Sequence, residues 1–353
     1  MIKVAFDTRP LANPEKYRGV GAYTQNLLIG IKDYGSGVRI FEFNHEREIP
    51  PDTDLVHYPY FNPFFLSLPL IKKFPTIVTV HDLIPIVFPH HFPKGIKGTI
   101  KWQLQKLALK GAVHIITDSQ SSQKDVVRLI GIKKSQTSAV YLAPAITFKP
   151  AVLQARQRIK KNLNLPDKFI LYVGDFNWNK NVPGLTQACL DLNMPLLVVG
   201  AKAAAKDFDY HHPENRALVK FRQFIQGSQG ELIFTPGYIS TDDLRAVYSL
   251  ADFYCQASFY EGFGLPVLEA MACGCPVVCS QGGSLAEVAG QAAVFIKDPT
   301  SVESIKKALK TALAFNKQER QALIAKGFEQ VKKFSWRTTT RETIKIYEKI
   351  AGS

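Results

Sequence analysis

The chain has 353 residues and a formal net charge of +14, with 46% hydrophobic and 21% charged residues. This composition excludes a disordered chain, and the length is enough for about two domains with their own cores. No apolar run approaches the roughly 20 residues that span a bilayer, and the N-terminus has a strand pattern without a signal-peptide layout. Five cysteines, an odd number, fit a reducing compartment. We therefore expect a cytoplasmic protein.

The positive charge calls for an anionic partner: nucleic acid, an anionic membrane surface or a phosphate-rich substrate. No nucleic-acid-binding motif is present. A predicted helix over residues 94–110 has no acid, and an aromatic loop, residues 61–66, precedes it. Its lysines are Lys94, Lys97, Lys101, Lys106 and Lys110. We expect this region to dock peripherally on the inner face of the cell membrane.

The alternative for this helix is a solvated basic face above an ordinary core stripe. The stripe would comprise Ile100, Leu104 and Leu107, which recur at helical spacing.

Strands alternate with helical segments along the chain, which predicts two doubly wound parallel sheets. The predicted strands of the first sheet are 2–7, 39–43, 55–58, 76–80, 113–117 and 138–141. Those of the second sheet are 169–173, 195–200, 231–235, 252–256, 276–279 and 293–296. A proline-containing linker lies between them. We predict Rossmann-like domains over residues 1–148 and 149–335, followed by a C-terminal helix over residues 336–353.

Three segments of the first domain follow predicted strands, at the edge where parallel α/β sheets bind ligands. Gly19-Val20-Gly21 opens a helix and would admit a phosphate or sugar close to the backbone, although a packing turn is the alternative. His81-Asp82 follows the fourth strand, where an isolated histidine is more often structural. Ser119 follows the fifth strand and is interpreted as the N-cap of the next helix.

The stretch of residues 258–287 contains the strongest chemical signal. Two glycine turns, Gly262-Phe263-Gly264 and Gly282-Gly283, each precede a helical pattern, and Leu265 begins the first. Free N–H groups and helix dipoles would then form an anion site. Glu261 and Glu269 lie eight residues apart within it, so the ligand should carry hydroxyls as well as phosphate. A nucleotide-sugar meets that description.

Two further segments of the second domain follow predicted strands. Lys180, at the start of a helix, is placed to meet a diphosphate as a point charge. Gly237-Tyr238 lies at the end of the third strand.

Glu261 and Glu269, with Gly262-Phe263-Gly264-Leu265-Pro266 between them, resemble the hallmark of the retaining glycosyltransferases of GT-B fold in family 4. The runs Gly274-x-Pro276 and Gly282-Gly283-x-x-x-Glu287 are similar to the same family. The resemblance implies an α/β protein of two Rossmann-like domains facing across a cleft. It also implies that the C-terminal helix crosses back to the N-terminal domain.

The resemblance further implies roles for single residues. Glu261 would bind sugar hydroxyls and Glu269 the ribose diol. His81 would contact the donor sugar, with Asp82 as its supporting or acceptor-side neighbour. Lys180 and the backbone of Gly262, Phe263, Gly264 and Leu265 would stabilise the leaving diphosphate, with no metal or other cofactor. Gly19 and Gly21 would form the family's glycine loop, and Tyr238 would lie in the segment that frames the nucleobase.

The implied reaction is transfer of a hexose from a nucleotide diphosphate donor to a hydroxyl of a glycan or a polyprenyl-linked or other lipid-linked acceptor. The runs Gly19–Tyr23 and His81–Pro85 look most like mannosyltransferases that build bacterial surface polysaccharides, so GDP-mannose is the first expected donor. Front-face substitution is expected, because Glu261 is an unconvincing covalent nucleophile. One departure stands out: Asp175 and Asn179 occupy the positions where the family carries an arginine.

A non-catalytic nucleotide-sugar-binding scaffold of the same fold is the main alternative, and a sugar-nucleotide epimerase is another. A dehydrogenase is excluded because no Gly-x-Gly-x-x-Gly follows the first strand of either domain. Asp207-Phe208-Asp209 is a frequent chance match to a metal motif, and the cysteines lack a partner histidine cluster.

Overall fold

The computed structural model describes residues 1–12, 19–205 and 207–352. The chain divides into two compact units: unit 1 comprises Met1–Ala143 and Phe334–Ser353, and unit 2 comprises Pro144–Lys333. Each unit contains one six-stranded sheet in which all neighbouring strands are parallel. The predicted doubly wound architecture is therefore confirmed for each half.

Unit 1 has the strand order β2-β1-β3-β4-β5-β6. Its strands are β1 (Ile2–Asp7), β2 (Val38–Phe43), β3 (Leu55–Tyr58), β4 (Thr76–Val80), β5 (His114–Thr117) and β6 (Thr137–Ala139). Its first helices are α1 (Arg9–Ala12), α2 (Gly19–Tyr34), α3 (Ile84–Val87), α4 (Gly95–Lys110) and α5 (Gln120–Val126). Every residue of β3, β4 and β5 is buried, as expected of strands covered by helices on both faces.

Unit 2 has the strand order β12-β11-β10-β7-β8-β9. Its strands are β7 (Ile170–Val173), β8 (Leu196–Val199), β9 (Ile233–Gly237), β10 (Phe253–Gln256), β11 (Val277–Ser280) and β12 (Ala293–Ile296). Its helices are α6 (Leu153–Asn162), α7 (Val182–Asp191), α8 (Ala201–Ala204), α9 (Arg216–Gln226), α10 (Thr241–Leu250), α11 (Leu265–Ala272), α12 (Leu285–Ala289), α13 (Val302–Leu313) and α14 (Lys317–Val331).

The last helix, α15 (Trp336–Ala351), belongs to unit 1, where it packs against α2 and against strands β1 and β3. The two helices approach closely because α2 has a glycine at the contact. A Cβ atom on Gly30 would lie 2.0 Å from Oγ1 of Thr340. Any side chain at Gly30 would therefore push α15 away from the sheet.

The strand orders predict where ligands bind. In unit 1 the order reverses between β1 and β3, and in unit 2 it reverses between β7 and β10. Open parallel sheets bind ligands at the carboxyl ends of the strands beside such a reversal. Among the described residues, no helix combines the length and the apolar character needed to cross a bilayer.

Candidate active site

The reversal in unit 2 brings Lys180 and Glu261 together, although they are 81 residues apart. Lys180 ends a short turn, Trp178–Lys180, that follows β7 and precedes α7. Glu261 follows β10, the strand that pairs with β7. Nζ of Lys180 lies 2.7 Å from Oε2 of Glu261. Strand pairing alone thus places an ion pair at the predicted ligand-binding edge of this sheet.

Glu261 is buried and surrounded by donors. Its residue exposure is 4%, and its Oε1 accepts hydrogen bonds from Nε2 of Gln256 and Oγ of Ser258, each at 2.6 Å. With Lys180 on Oε2, three of the roughly four acceptor positions of the carboxylate are filled. One position remains for a ligand hydroxyl. Gln256 and Ser258 were not predicted, although their alternate positions, at the end of β10 and two residues on, indicate that they face the same side.

The two glycine turns pack against each other. Gly264 has φ of 100°, and a Cβ atom on it would lie 2.7 Å from Cδ2 of Leu285. A Cβ atom on Gly283 would lie 2.3 Å from the carbonyl oxygen of Glu261. The hydroxyl of Ser284 donates to the carbonyls of Glu261 and Phe263, at 3.1 and 2.6 Å. The glycines of the second turn are therefore required by loop packing.

A helix follows each glycine turn, as the sequence indicates, and joint anion binding by the two N-termini stays a prediction. Helix α12 has only five residues, and its preceding turn is used to hold the loop that carries Glu261. Helix α11 has eight residues and starts directly after Gly264, with Pro266 in its first turn. The dipole at this end of the site therefore comes from α11.

Glu269 lies on α11, and its Oε2 accepts a hydrogen bond of 3.1 Å from the hydroxyl of Tyr248. Burial raises the pKa of Glu269 to about 7, and the hydrogen bond from Tyr248 lowers it by a smaller amount. At neutral pH this carboxyl therefore titrates, whereas an exposed glutamate would be fully ionised.

The departure from the family pattern has a structural explanation at Asn179 but none at Asp175. Asn179 is buried, and its Nδ2 donates to the carbonyl of Tyr260 at 2.9 Å. Its own carbonyl accepts the N–H of Phe259 at 2.7 Å. Asn179 therefore joins the loop of Lys180 to the loop of Glu261. Neither position supplies a positive charge.

An aromatic pair that the sequence analysis missed lies between these loops. The rings of Trp178 and Phe259 have centroids 4.7 Å apart at an interplanar angle of 34°. Their positions in the sequence could have indicated them, because Trp178 lies two residues before Lys180 and Phe259 lies two residues before Glu261. Tyr238, predicted near a nucleobase, follows Gly237 at the end of β9. Its residue is 80% exposed, so a ligand can reach its side chain, and few protein contacts hold that side chain in place.

His81 lies in unit 1, at the end of β4, and its partner is Asp118 at the end of the neighbouring β5. Nδ1 of His81 is 2.7 Å from Oδ2 of Asp118. Asp82 acts on His81 through its negative charge, which raises the pKa of the ring, while its Oδ1 accepts the N–H of Ile84 at 3.0 Å at the start of α3. Asp118 was missed, although it follows the neighbouring predicted strand. Ser119 is confirmed as an N-cap, since its Oγ accepts the N–H of Ser122 at 3.0 Å.

The remaining predicted elements are placed as follows. Gly19 and Gly21 lie in the first turn of α2, and a Cβ atom on Gly19 would meet nothing within 4 Å. The preceding loop, including Arg18, lies outside the described residues. In the segment Asp207-Phe208-Asp209, Oδ1 of Asp209 accepts the N–H of His211 at 2.8 Å. Within the described ranges, no three His, Cys, Asp or Glu side chains are grouped to hold a metal.

Comparison with known proteins identifies relatives of the whole chain. The family model for glycosyl transferases group 1 matches residues 154–330, and the model for glycosyltransferase family 4 matches residues 17–143. O-antigen chain mannosyltransferase B of Escherichia coli is 30% identical over 302 residues, which are 84% of this chain and 75% of that protein.

Solved structures of low sequence identity share the fold. Sucrose-phosphate synthase from Thermosynechococcus elongatus matches with a TM-score of 0.79 and 20% identity over 100% of both chains. Anabaena HepE in complex with UDP and glucose matches with a TM-score of 0.71 and 16% identity, over 99% of this chain and 100% of that one. With the two six-stranded parallel sheets, these matches confirm the predicted GT-B fold class.

Proposed function

The chain belongs to glycosyltransferase family 4, the glycosyl transferases group 1, and from that premise we propose that it transfers mannose from GDP-mannose, with retention, to a hydroxyl of a glycan or lipid-linked acceptor in polysaccharide synthesis. One observation carries the proposal. The Lys180–Glu261 ion pair lies beside the first turn of α11. It combines a cation that can bind a diphosphate with a carboxylate that has one acceptor position left for a sugar hydroxyl. The mannose assignment is supported by the Escherichia coli relative, whose name is that of a mannosyltransferase.

The proposed chemistry uses groups of the chain itself. The bond from the anomeric carbon to the diphosphate oxygen breaks, and the bond to the acceptor oxygen forms on the same face. The acceptor's proton passes to the departing phosphate oxygen. Lys180 and the N-terminus of α11 stabilise the negative charge that develops on the diphosphate, so the step requires no metal. Glu261 binds a hydroxyl and is not the nucleophile, because its oxygens are held by Gln256, Ser258 and Lys180.

A screen of donors by thermal unfolding tests the proposal. GDP-mannose, GDP-fucose, UDP-glucose, UDP-galactose and UDP-N-acetylglucosamine are compared at equal concentration with EDTA present. We expect GDP-mannose to raise the unfolding temperature, because a ligand at 100 times its Kd stabilises by about 2.7 kcal/mol. The same ligand should have little effect on Glu269→Ala. Anomeric NMR of the product then reports retention.

A nucleotide-sugar-binding scaffold is the second candidate, and it is favoured by the acidic Asp175 and the structural Asn179 at the family's arginine positions. The donor screen separates the two. A donor that binds selectively without any turnover, across a panel of glycan and lipid-linked acceptors, would support the scaffold. Stabilisation by none of the donors, in a well-folded protein, would contradict the mannose assignment.

We further propose that α4 and the loop before it dock on an anionic membrane surface. The core side of α4 is formed by Trp102, Gln105 and Leu109, so the expected core stripe is wrong in its main members. Ile100 and Leu107 are exposed instead, and they share one face with Ile96, which is 82% exposed. The helix thus presents an apolar stripe opposite its core side.

Lysines flank this stripe on both sides. Lys97 and Lys101 lie on one side and Lys106 and Lys110 on the other, by helical spacing. The preceding loop adds apolar residues to the same region, because Phe65 lies 5.5 Å under Nζ of Lys101. The loop residues that are exposed are Phe65, Leu66, Leu70 and Ile71. An exposed apolar stripe between two rows of lysine is typical of a helix that lies in a lipid interface.

Charge reversal tests the membrane surface. The variant Lys94→Glu/Lys97→Glu/Lys101→Glu should bind vesicles of anionic phospholipid more than a hundredfold more weakly, because each basic residue near the surface contributes about 1 kcal/mol. Vesicle sedimentation at physiological salt measures it. The matched control, Lys307→Glu/Lys310→Glu/Lys317→Glu, makes the same charge change on exposed lysines of unit 2 and should bind as the wild type does. Equal loss in both variants would contradict a specific docking surface.

A further inference from the structure

The two ring nitrogens of His81 both face hydrogen-bond acceptors. Nδ1 lies 2.7 Å from the carboxylate of Asp118, and Nε2 lies 3.1 Å from the carbonyl oxygen of Pro59. A carbonyl oxygen only accepts, so Nε2 carries a proton, and a carboxylate only accepts, so Nδ1 carries one as well. An imidazole with both protons is a cation. The geometry therefore indicates that His81 is positively charged.

The surroundings of Asp118 agree with this charge. Asp118 is buried, and its second oxygen, Oδ1, has no hydrogen-bond partner among the described residues. A buried carboxylate needs compensation, which the cationic ring provides. Burial lowers the pKa of His81, but the charge and hydrogen bond of Asp118, with the charge of Asp82 and the carbonyl of Pro59, raise it by more, so the net pKa is raised.

A hydrogen-bonded series of buried hydroxyls and one imidazole lies beside the ring of His81. The ring of Tyr23 meets the ring of His81 edge-on, with centroids 4.9 Å apart at 84°. Its hydroxyl lies 3.0 Å from Oγ1 of Thr79, which lies 2.9 Å from Nε2 of His57. Nδ1 of His57 lies 2.6 Å from the hydroxyl of Tyr347. Each of these side chains is buried, so the positions are fixed by packing as well as by hydrogen bonds.

His57 is the neutral imidazole of this hydrogen-bonded series. Burial, together with the smaller effect of the positive charge of His81, lowers the pKa of His57 to about 3. A neutral imidazole has one N–H and one acceptor nitrogen, so it donates to one hydroxyl and accepts from the other. The two histidines thus have opposite assignments: His57 is a neutral spacer, and His81 carries the charge.

We propose that Asp118, His57 and Tyr347 are positioning residues that hold His81 as a fixed cation at the carboxyl ends of β4 and β5, the ligand-binding edge of the sheet of unit 1. The inference rests on the proposed function, together with the contact to the donor sugar that the family resemblance implies for His81. It excludes His81 as a general base, because neither ring nitrogen is available to take a proton from an acceptor hydroxyl. It also gives α15 a function in the site, since Tyr347 reaches His81 through His57, Thr79 and Tyr23.

The first test reads the protons directly. Nitrogen-15 NMR of the His81 ring, assigned by comparison with His81→Gln, should show both nitrogens protonated at pH 7 in the wild type. In Asp118→Asn, one nitrogen should lose its proton at pH 7, because the anion that holds it is gone. This measurement does not need turnover, so it stands whether or not the donor assignment is right. A wild-type His81 with one unprotonated nitrogen at pH 7 would overturn the proposal.

The second test separates positioning from folding. Asp118→Asn should lower kcat about a hundredfold, the cost of misplacing a group at the reaction centre, and shift the alkaline limb of the kcat profile to lower pH. Tyr347→Phe should lower kcat with little change in KM. Its matched control is Thr343→Val, which removes a buried hydroxyl one turn earlier on α15 that bonds only within the helix, to Thr339. Equal kcat values in Tyr347→Phe and Thr343→Val, or an unmoved pH profile in Asp118→Asn, would overturn it.

Discussion

Lys180→Met should lower kcat by about 10²–10³-fold, because it removes the positive charge that meets the departing diphosphate and keeps most of the side-chain volume. The loss should fall on kcat more than on KM, since the charge on the leaving group is largest in the transition state. Steady-state kinetics with the donor found in the screen measures it. Lys168→Met, which removes an exposed lysine of the same unit, serves as the control and should leave both constants unchanged.

The same substitution should also destabilise the protein, because Glu261 stays buried after its cation is gone. Removing one member of a buried pair costs about 3–5 kcal/mol, and the remaining bonds from Gln256 and Ser258 should keep the loss near the lower end. Urea unfolding of Lys180→Met and of Lys180→Met/Glu261→Gln separates the two effects. The double variant should recover stability but not turnover. Recovery of turnover in it would show that Lys180 acts only as the partner of Glu261.

The elements of both sheets could be predicted because strands buried on both faces read as short apolar runs between glycine and proline signals. The strand of residues 76–80, for example, was predicted with the bounds that the structure has. The ion pair was predicted as two separate residues. Their contact depends on the pairing of β7 with β10, which a pattern along the chain does not contain.

Asp118 illustrates the same limit more strongly. It follows Thr117 as an ordinary polar residue at a strand end, and only the pairing of β4 with β5 brings it to His81. Asp82 is adjacent in sequence, but the chain turns into α3 at once and uses this carboxylate as a cap. Adjacency in sequence therefore predicts the charge near His81 but not which carboxylate is hydrogen-bonded to its ring.

Helix α4 shows a different limit, which is ambiguity within one pattern. Its sequence contains two faces with apolar residues at helical spacing, one through Ile96, Ile100 and Leu107 and one through Trp102 and Leu109. Periodicity reveals both faces but not which of them meets the sheet. Packing decides that Trp102 and Leu109 are buried, which leaves the isoleucine face exposed.

Affinity for the donor should fall as the pH is lowered through about 7, because Glu269 has a pKa raised to about 7 by burial. Only the ionised carboxylate accepts hydrogen bonds from both hydroxyls of a ribose diol, so binding favours the form that protonation removes. Below pH 7 the complex must release a proton to form, and affinity should drop by up to about tenfold per pH unit. Above pH 8 it should be constant.

The sign of the stability effect is opposite to that of the usual carboxylate. The folded pKa of Glu269 lies above its ordinary value, so the folded state binds the proton more tightly than the unfolded state does. The tighter proton binding stabilises the folded state fully below pH 4.5, the ordinary pKa of a glutamate. This stabilisation is lost as the pH rises to about 7, the folded-state pKa of Glu269. Donor binding and stability without ligand should therefore respond to pH in opposite directions between these values. Such opposition distinguishes a buried titrating group from general acid denaturation.

Calorimetry of GDP-mannose binding from pH 5.5 to 8.5 measures this pH dependence of the affinity. GDP-mannose is a better ligand than GDP, because the terminal phosphate of GDP itself titrates near pH 6. Proton release, read from two buffers of different ionisation enthalpy, should appear below pH 7 and vanish above pH 8. Glu269→Gln should bind weakly and without pH dependence, while Glu329→Gln, at an exposed glutamate of the same unit, should keep the wild-type profile. A wild-type affinity that does not change across pH 7 would mean that Glu269 does not bind the ribose, and the carboxyl would then serve only to hold Tyr248.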